Sequence, residues 1–181
     1  EKYDAVAQEG TQALKNLNKP TLAMIDGYCI GGGVAIALNC DMRIAADHSR
    51  FAVPAAKLGL GYEYDGVRKL VDVVGPSFAK EIFFTARQFS ATEALAMGLI
   101  NRMVPKEDLL AYVQQYAETI AANAPMTVAS IKTIVDEIVK DESVRDVAHC
   151  DQLVAACFNS ADFTEGRTAF MEKRSPAFTG T

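Results

Sequence analysis

The stretch T-L-A-M-I-D-G-Y-C-I-G-G-G-V-A-I-A-L-N, residues Thr21–Asn39, decides the fold. A short apolar run, Thr21 to Ile25, is ended by Asp26-Gly27. Gly31 to Gly33 follow, and then Val34 to Leu38 at helix-forming composition. That order predicts a strand, a tight turn and a helix from Gly33 to Asn39. Three adjacent glycines cost conformational entropy, so a fold keeps them where backbone comes close to something or takes positive φ. At a helix start they also leave unpaired N–H groups facing outward, suited to an anion or a developing negative charge. A tight strand-to-helix crossing with no ligand fits the same residues.

Outward from this stretch, Val6, Ala13, Leu14 and Leu17 recur at helical spacing, which predicts a helix from Tyr3 to Leu17 ended by Asn18-Lys19-Pro20. A domain that opens with a helix running straight into a central strand leads us to expect a further segment upstream. On the other side, Met42–Ala46 reads as a second strand and Phe51–Pro54 as a third extended piece. Strand, helix, strand is a βαβ unit, with parallel pairing and a right-handed crossover. A loop, Gly59 to Gly66, precedes a helix from Val67 to Val74, stopped by Gly75-Pro76, and a second from Ser77 to Ala86. Ser90-Ala91-Thr92-Glu93 has the form of a capping box, opening a helix that Gly98 ends. Leu99–Val104 reads as a last strand. Beyond Leu109 the pattern is helical throughout: to Asn123, then Pro125–Lys140, Ser143–Phe158 and Asp162–Lys173. The expected layout is an α/β body over residues 1–105 and an α-helical region over 106–181.

The bulk properties set outer limits. The 181 residues carry a formal charge of −5, and half are hydrophobic, enough for one ordinary core. No apolar run approaches the roughly 20 residues of a membrane span, and Glu1-Lys2-Tyr3-Asp4 does not read as a signal peptide. The acidic balance argues against a nucleic-acid partner. Cys29, Cys40, Cys150 and Cys157 show no CxxC spacing and lie in apolar patterns, which fits a reduced, cytoplasmic protein with buried thiols. With only His48 and His149, a histidine-rich metal site is excluded.

Gly27-Tyr28-Cys29-Ile30-Gly31 matches a G-x-C-x-G nucleophile elbow and is similar to the G-Y-C-x-G-G of dienelactone hydrolases. That fold orders nucleophile, acid and histidine along the chain, and His149 comes late enough. It sits inside a helical pattern, however, where that fold needs a loop after a strand. The plainer reading of Cys29 is a small buried residue packing the turn.

A wider set of short matches points elsewhere. Lys19-Pro20-Thr21, Asp26-Gly27-Tyr28, Gly31-Gly32-Gly33, Cys40-Asp41, Arg43-Ile44-Ala45, Phe51-Ala52-Val53-Pro54, Leu58-Gly59 and Gly75 fall in order, followed by Phe84–Arg87, Ala94–Ile100 and Val104-Pro105. With the tail Glu165-Gly166-Arg167, Phe170–Arg174 and Pro176–Phe178, they resemble the crotonase (enoyl-CoA hydratase/isomerase) superfamily from Lys19 to the C-terminus. The family's N-terminal third has no counterpart here.

The resemblance implies an α/β ββα-superhelix spiral core with an α-helical trimerisation region, hence a homotrimer or dimer of trimers. It also implies fatty-acid-type chemistry on an acyl-CoA thioester, with no cofactor besides the coenzyme A of the substrate. By position Gly32 corresponds to one oxyanion-hole donor, the second belonging to the family's upstream segment. Ile30, Gly31, Ala35, Pro54, Ala55, Leu58 and Tyr62 fall at substrate-contacting positions. Lys173 resembles tail residues that reach toward the nucleotide.

Two positions depart from the pattern. Hydratases of this family use two glutamates, and this chain has Ala35 and Ala55 in those places. Alanine neither takes nor gives a proton, so isomerase- or hydrolase-type chemistry is expected in place of standard hydration. Counted without a gap from Leu58-Gly59 to Gly75, Glu63 falls where dienoyl-CoA isomerases carry a catalytic aspartate, and where 4-chlorobenzoyl-CoA dehalogenase carries its nucleophile. Glu63 is therefore the candidate base. A pocket floored by Ala35 and Ala55 would be apolar, a setting that tunes carboxylates for proton transfer. A solvated acidic turn is the alternative for Glu63, a silent acyl-CoA-binding homologue the alternative for the chain, and a cysteine hydrolase using Cys29 the third.

Overall fold

The computed structural model describes residues 9–14 and 16–181. Its organising feature is a corner used twice. Strand β1 (Leu22–Ile25) turns at Asp26-Gly27 into strand β2 (Tyr28–Ile30), and helix α1 (Gly32–Ala37) follows. Strand β3 (Met42–Ala46) then turns at residues 47–49 into β4 (Arg50–Ala52), and helix α2 (Ala55–Leu58) follows. Each ββα unit sends its two strands into different sheets. β3 pairs parallel to β1, with Leu22 opposite Met42, and β4 pairs parallel to β2, with Cys29 opposite Phe51.

Local chemistry explains the corner. Gly27 holds φ 99, a left-handed value that suits glycine. Its N–H donates to Ser49 Oγ at 3.1 Å, and Ser49 Oγ–H donates to the Ile25 carbonyl at 3.1 Å, so one fully buried hydroxyl joins the two corners. Thr21 and Asp41 join the strand starts the same way: Thr21 N and Oγ1 donate to Asp41 Oδ2, and Asp41 N donates back to Thr21 Oγ1.

Tyr28–Ile30 is a strand that the sequence reading missed, because three residues between glycines carry no usable periodicity. Its ladder partner lies beyond the intervening helix. After α2 the chain enters α3 (Tyr64–Thr85), broken at Gly75 by φ 75 and ψ 165 ahead of Pro76. The predicted stop at Gly75 thus appears as a kink, and the helix starts at Tyr64, before the expected Val67. Then come β5 (Phe89–Ser90), α4 (Ala91–Ala96) and β6 (Arg102–Val104). β5 lies antiparallel to β4, and β6 parallel to β3. The capping box forms as expected: Glu93 N donates to Ser90 Oγ at 3.2 Å, and Ser90 N donates to Glu93 Oε2 at 2.8 Å. The core collects Ile44, Phe51, Leu70, Phe89 and Ile100, each 2% exposed or less.

The described residues up to Leu17, with Thr21–Gln114, form one unit; Asn18–Pro20 and Gln115–Thr181 form the other. The division falls inside helix α5 (Leu109–Ala121) and not at Pro105. The second unit continues with α6 (Pro125–Ile138), α7 (Val147–Phe158) and α8 (Ala161–Glu172). The predicted start of α7 at Ser143 is replaced by a 3-10 turn, Glu142–Val144, because Asp146 caps the helix through the His149 N–H. The predicted helix Tyr3–Leu17 is helical over residues 9–14; its positions at 1–8 and 15 lie outside the described residues. No helix among the described residues is long and apolar enough to cross a membrane.

The tail folds back onto α8. Asp162, 3% exposed, accepts from Thr179 N and Gly180 N, and Glu165 accepts from Arg174 and from Ala177 N. The Arg174 hydrogen bond, helped by the Ala177 N–H, holds the Glu165 carboxyl down at about 2, from 4.5. A depressed carboxylate contributes stability that is complete above about pH 4.5 and lost as pH falls through about 2. We expect the Tm difference between wild type and Glu165→Gln, read by circular dichroism, to be constant near pH 6 and to shrink between pH 4 and pH 2. A difference that does not change over that range would contradict this assignment.

Candidate active site

The glycine turn leads into α1 with its backbone donors uncommitted to the helix. Gly31, at φ 53 and ψ −109, occupies the N-cap, and its N–H donates to the Ala52 carbonyl at 2.8 Å, which ties the turn to β4. Intrahelical bonding begins with Ala35 N donating to Gly31 O at 3.1 Å. The N–H groups of Gly32, Gly33 and Val34 therefore have no acceptor within α1. A Cβ added at Gly31 or Gly32 would meet nothing within 4 Å, so the ground above the turn is open.

Cys29 lies beneath the turn. A Cβ at Gly33 would stand 3.8 Å from its Sγ, and Cys29 itself is 5% exposed. Burial pushes its thiol up to about 11. A nucleophilic cysteine needs the opposite shift and an exposed elbow, and Cys29 sits inside β2. At pH 8 roughly one thiol in a thousand would be ionised. We expect Cys29→Ala to retain turnover, and iodoacetamide to spare Cys29 in the native chain as read by peptide mass mapping. Loss of turnover in Cys29→Ala would restore the cysteine-hydrolase reading.

One cleft of about 750 Å³ adjoins this helix. Ala35 lines it, as do Val53, just past β4, and Tyr62, Glu63 and Asp65 around the start of α3. Glu63 takes the N-cap position of α3 in extended conformation, yet its carboxylate makes no capping bond. Helix starts favour Asp, Asn, Ser or Thr there, so this glutamate adds little to the helix. It is exposed at the cleft and is not enclosed by an apolar wall. The expected floor of two alanines also changes: Ala35 faces the cleft, whereas Ala55 is 6% exposed within the hydrophobic core and does not line it.

The other expected contacts divide. Ile30 ends β2, half-buried opposite Ala52, and Pro54 caps α2. Leu58, at the end of α2, is 72% exposed. Lys173, in the second unit, is the left-handed C-cap of α8 at φ 55. The sequence reading missed Asn39 and Lys69. Lys69 Nζ donates to Asn39 Oδ1, and Asn39 Nδ2 donates to the Ala35 carbonyl at 2.7 Å. Asn39 lies in the turn just past α1, four residues after Ala35, and Lys69 lies four residues after Asp65 on the same face of α3. Tyr62 lines the same wall, and burial raises its phenol, which keeps it a hydrogen-bond donor. Among the described residues no His, Cys, Asp or Glu cluster is arranged to hold a metal ion.

A family model described as enoyl-CoA hydratase/isomerase matches residues 1–181. The short-chain-enoyl-CoA hydratase of Clostridium acetobutylicum is 33% identical over 173 residues, covering 96% of this chain and 66% of that protein. The carnitinyl-CoA dehydratase of Salmonella arizonae is 36% identical over 176 residues, covering 94% and 67%. In structure, an enoyl-CoA hydratase/carnithine racemase from Magnetospirillum magneticum superposes with a TM-score of 0.90 at 31% identity, covering 99% of this chain and 66% of that one. The chain spans about two thirds of the length of these relatives.

Proposed function

The chain belongs to the enoyl-CoA hydratase/isomerase family, and from that premise we propose that it acts on an acyl-CoA thioester through an enolate, by proton transfer of the isomerase or hydrolase kind. One observation carries this reading. A single cleft joins Ala35, which cannot move a proton, to Glu63 and Asp65, which can. In this reading the Gly32 N–H donates to the thioester oxygen, and the family's upstream segment supplies a second donor. Donors aimed at an oxygen that becomes negative stabilise the transition state more than the ground state. Glu63 removes the proton from Cα, and the electron pair moves onto the thioester oxygen. Returning that proton at Cγ shifts the double bond.

Ile30, Gly31, Pro54, Leu58 and Tyr62 would contact the substrate, and Lys173 the nucleotide. The test is solvent deuterium incorporation into a bound thioester. We expect exchange at Cα or Cγ by wild type, read by mass spectrometry. Tight binding with neither exchange nor turnover would sink the enzyme reading and favour a silent acyl-CoA binder, which the two alanines otherwise allow. For assembly we propose a homotrimer or dimer of trimers. Ile131, Val135 and Ile138 on α6 and Phe170 on α8 are exposed apolar side chains that a second copy would cover. A monomeric mass by light scattering would contradict it.

A further inference from the structure

Tyr62 lines the cleft beside Ala35 and Glu63. Its ring meets Phe83 edge-on, with 4.9 Å between centroids and 66° between planes. The same ring rests against Gly66, where an added Cβ would stand 2.9 Å from Tyr62 Cε1 and 3.2 Å from Cδ1. Gly66 lies in the first turn of α3, and its φ is outside the left-handed region. Its backbone conformation therefore does not call for glycine, and glycine is a poor helix former. What the missing side chain provides is room for the Tyr62 ring. The Tyr62 hydroxyl makes no hydrogen bond with another described residue, whereas its polar neighbours Asn39 and Lys69 are bonded to each other. A protonated phenol is thus clamped in the wall of the cleft with its donor unspent.

We propose that Tyr62 is a specificity-determining residue that donates a hydrogen bond to an oxygen carried by the acyl group itself, and that Gly66 is the positioning residue that seats its ring. The inference rests on the acyl-CoA reading above and deepens it. The substrate class it selects is an acyl thioester bearing a keto or hydroxyl oxygen apart from the thioester carbonyl. A plain hydrocarbon chain in the same place would strip water from the phenol and leave it unpaired, which disfavours binding.

The test compares, by titration calorimetry on the full chain, a saturated acyl-CoA with thioesters of the same length carrying a keto or hydroxyl oxygen along the chain. Wild type is expected to bind an oxygenated thioester at least about tenfold more tightly than the plain one. Tyr62→Phe, which keeps the ring and its packing, should bring that ratio close to one. Gly66→Ala should lower it, and adding Gly66→Ala to Tyr62→Phe should lower it no further. If Gly66→Ala does not fold, Tyr62→Phe carries the test alone. Equal affinities in wild type, or a ratio that survives Tyr62→Phe, overturns the inference. A purely structural Tyr62 would weaken all thioesters alike and leave the ratio unmoved, which also overturns it. Failure of wild type to bind any thioester would instead overturn the acyl-CoA reading.

Discussion

Glu63→Gln is expected to lower kcat by roughly 10²- to 10⁴-fold on any thioester that wild type turns over, the usual contribution of a positioned general base. The amide keeps the size of the side chain and loses only its capacity to accept the α-proton. Because the Glu63 carboxylate makes no capping bond to α3, the substitution should leave stability within about 0.5 kcal/mol. KM should change much less than kcat, since an interaction made only in the transition state lowers kcat and kcat/KM together. Asp65 lines the same cleft one residue inside the helix, so Asp65→Asn is the control. Retained turnover and deuterium exchange in Glu63→Gln would remove Glu63 as the base. The same loss in Asp65→Asn alone would transfer the role to its neighbour.

Arg43→Met is expected to cost about 3–5 kcal/mol of stability, much of what a domain of this size possesses. Arg43 is only 6% exposed, and its guanidinium fork serves backbone carbonyls at two separate chain segments. Nε donates to Leu99 O at 2.7 Å, and Nη1 donates to Cys40 O at 3.0 Å and to Ala37 O at 3.4 Å. Burial lowers its pKa, while Cys40 and Asp41 act to raise it. A guanidinium remains charged regardless. Methionine would fill most of the volume and leave the Leu99 and Cys40 carbonyls without the guanidinium, while Ala37 O keeps the Cys40 N–H at 3.2 Å. Arg43→Lys should recover part of the loss, because one ammonium cannot reproduce a fork that spans both segments. Urea unfolding reads this as a lowered midpoint at unchanged slope. A loss under about 1 kcal/mol for Arg43→Met would mean that water replaces the guanidinium.

Arg43 also shows the limit of reading motifs. In the sequence it is one polar letter in a strand, and its string of matches marks the family without saying what the side chain does. Its partners lie at the end of α1 and after α4, and packing alone brings them together. Glu63 is the reverse case. A count from Leu58-Gly59 located it, and the structure brings it to the same cleft as Ala35. The count could not decide its exposure, which depends on what stands opposite.

The sequence by itself determined the features whose cause is local. Gly27 and Gly31 sit where backbone angles exclude most side chains, the Ser90–Glu93 box closes within one turn, and Gly75-Pro76 breaks a helix wherever it occurs. The parallel pairing of β1 with β3 followed from a strand–helix–strand order, because no shorter crossover is available. Only the tertiary structure decided the rest. Tyr28–Ile30 became a strand because Arg50–Ala52 offers it a ladder. Of two alanines at matching family positions, Ala35 faces a cleft and Ala55 is buried in the core. Both outcomes turn on which distant residues remove water from a given backbone or side chain, and contacts so far apart in sequence leave no periodic trace in it.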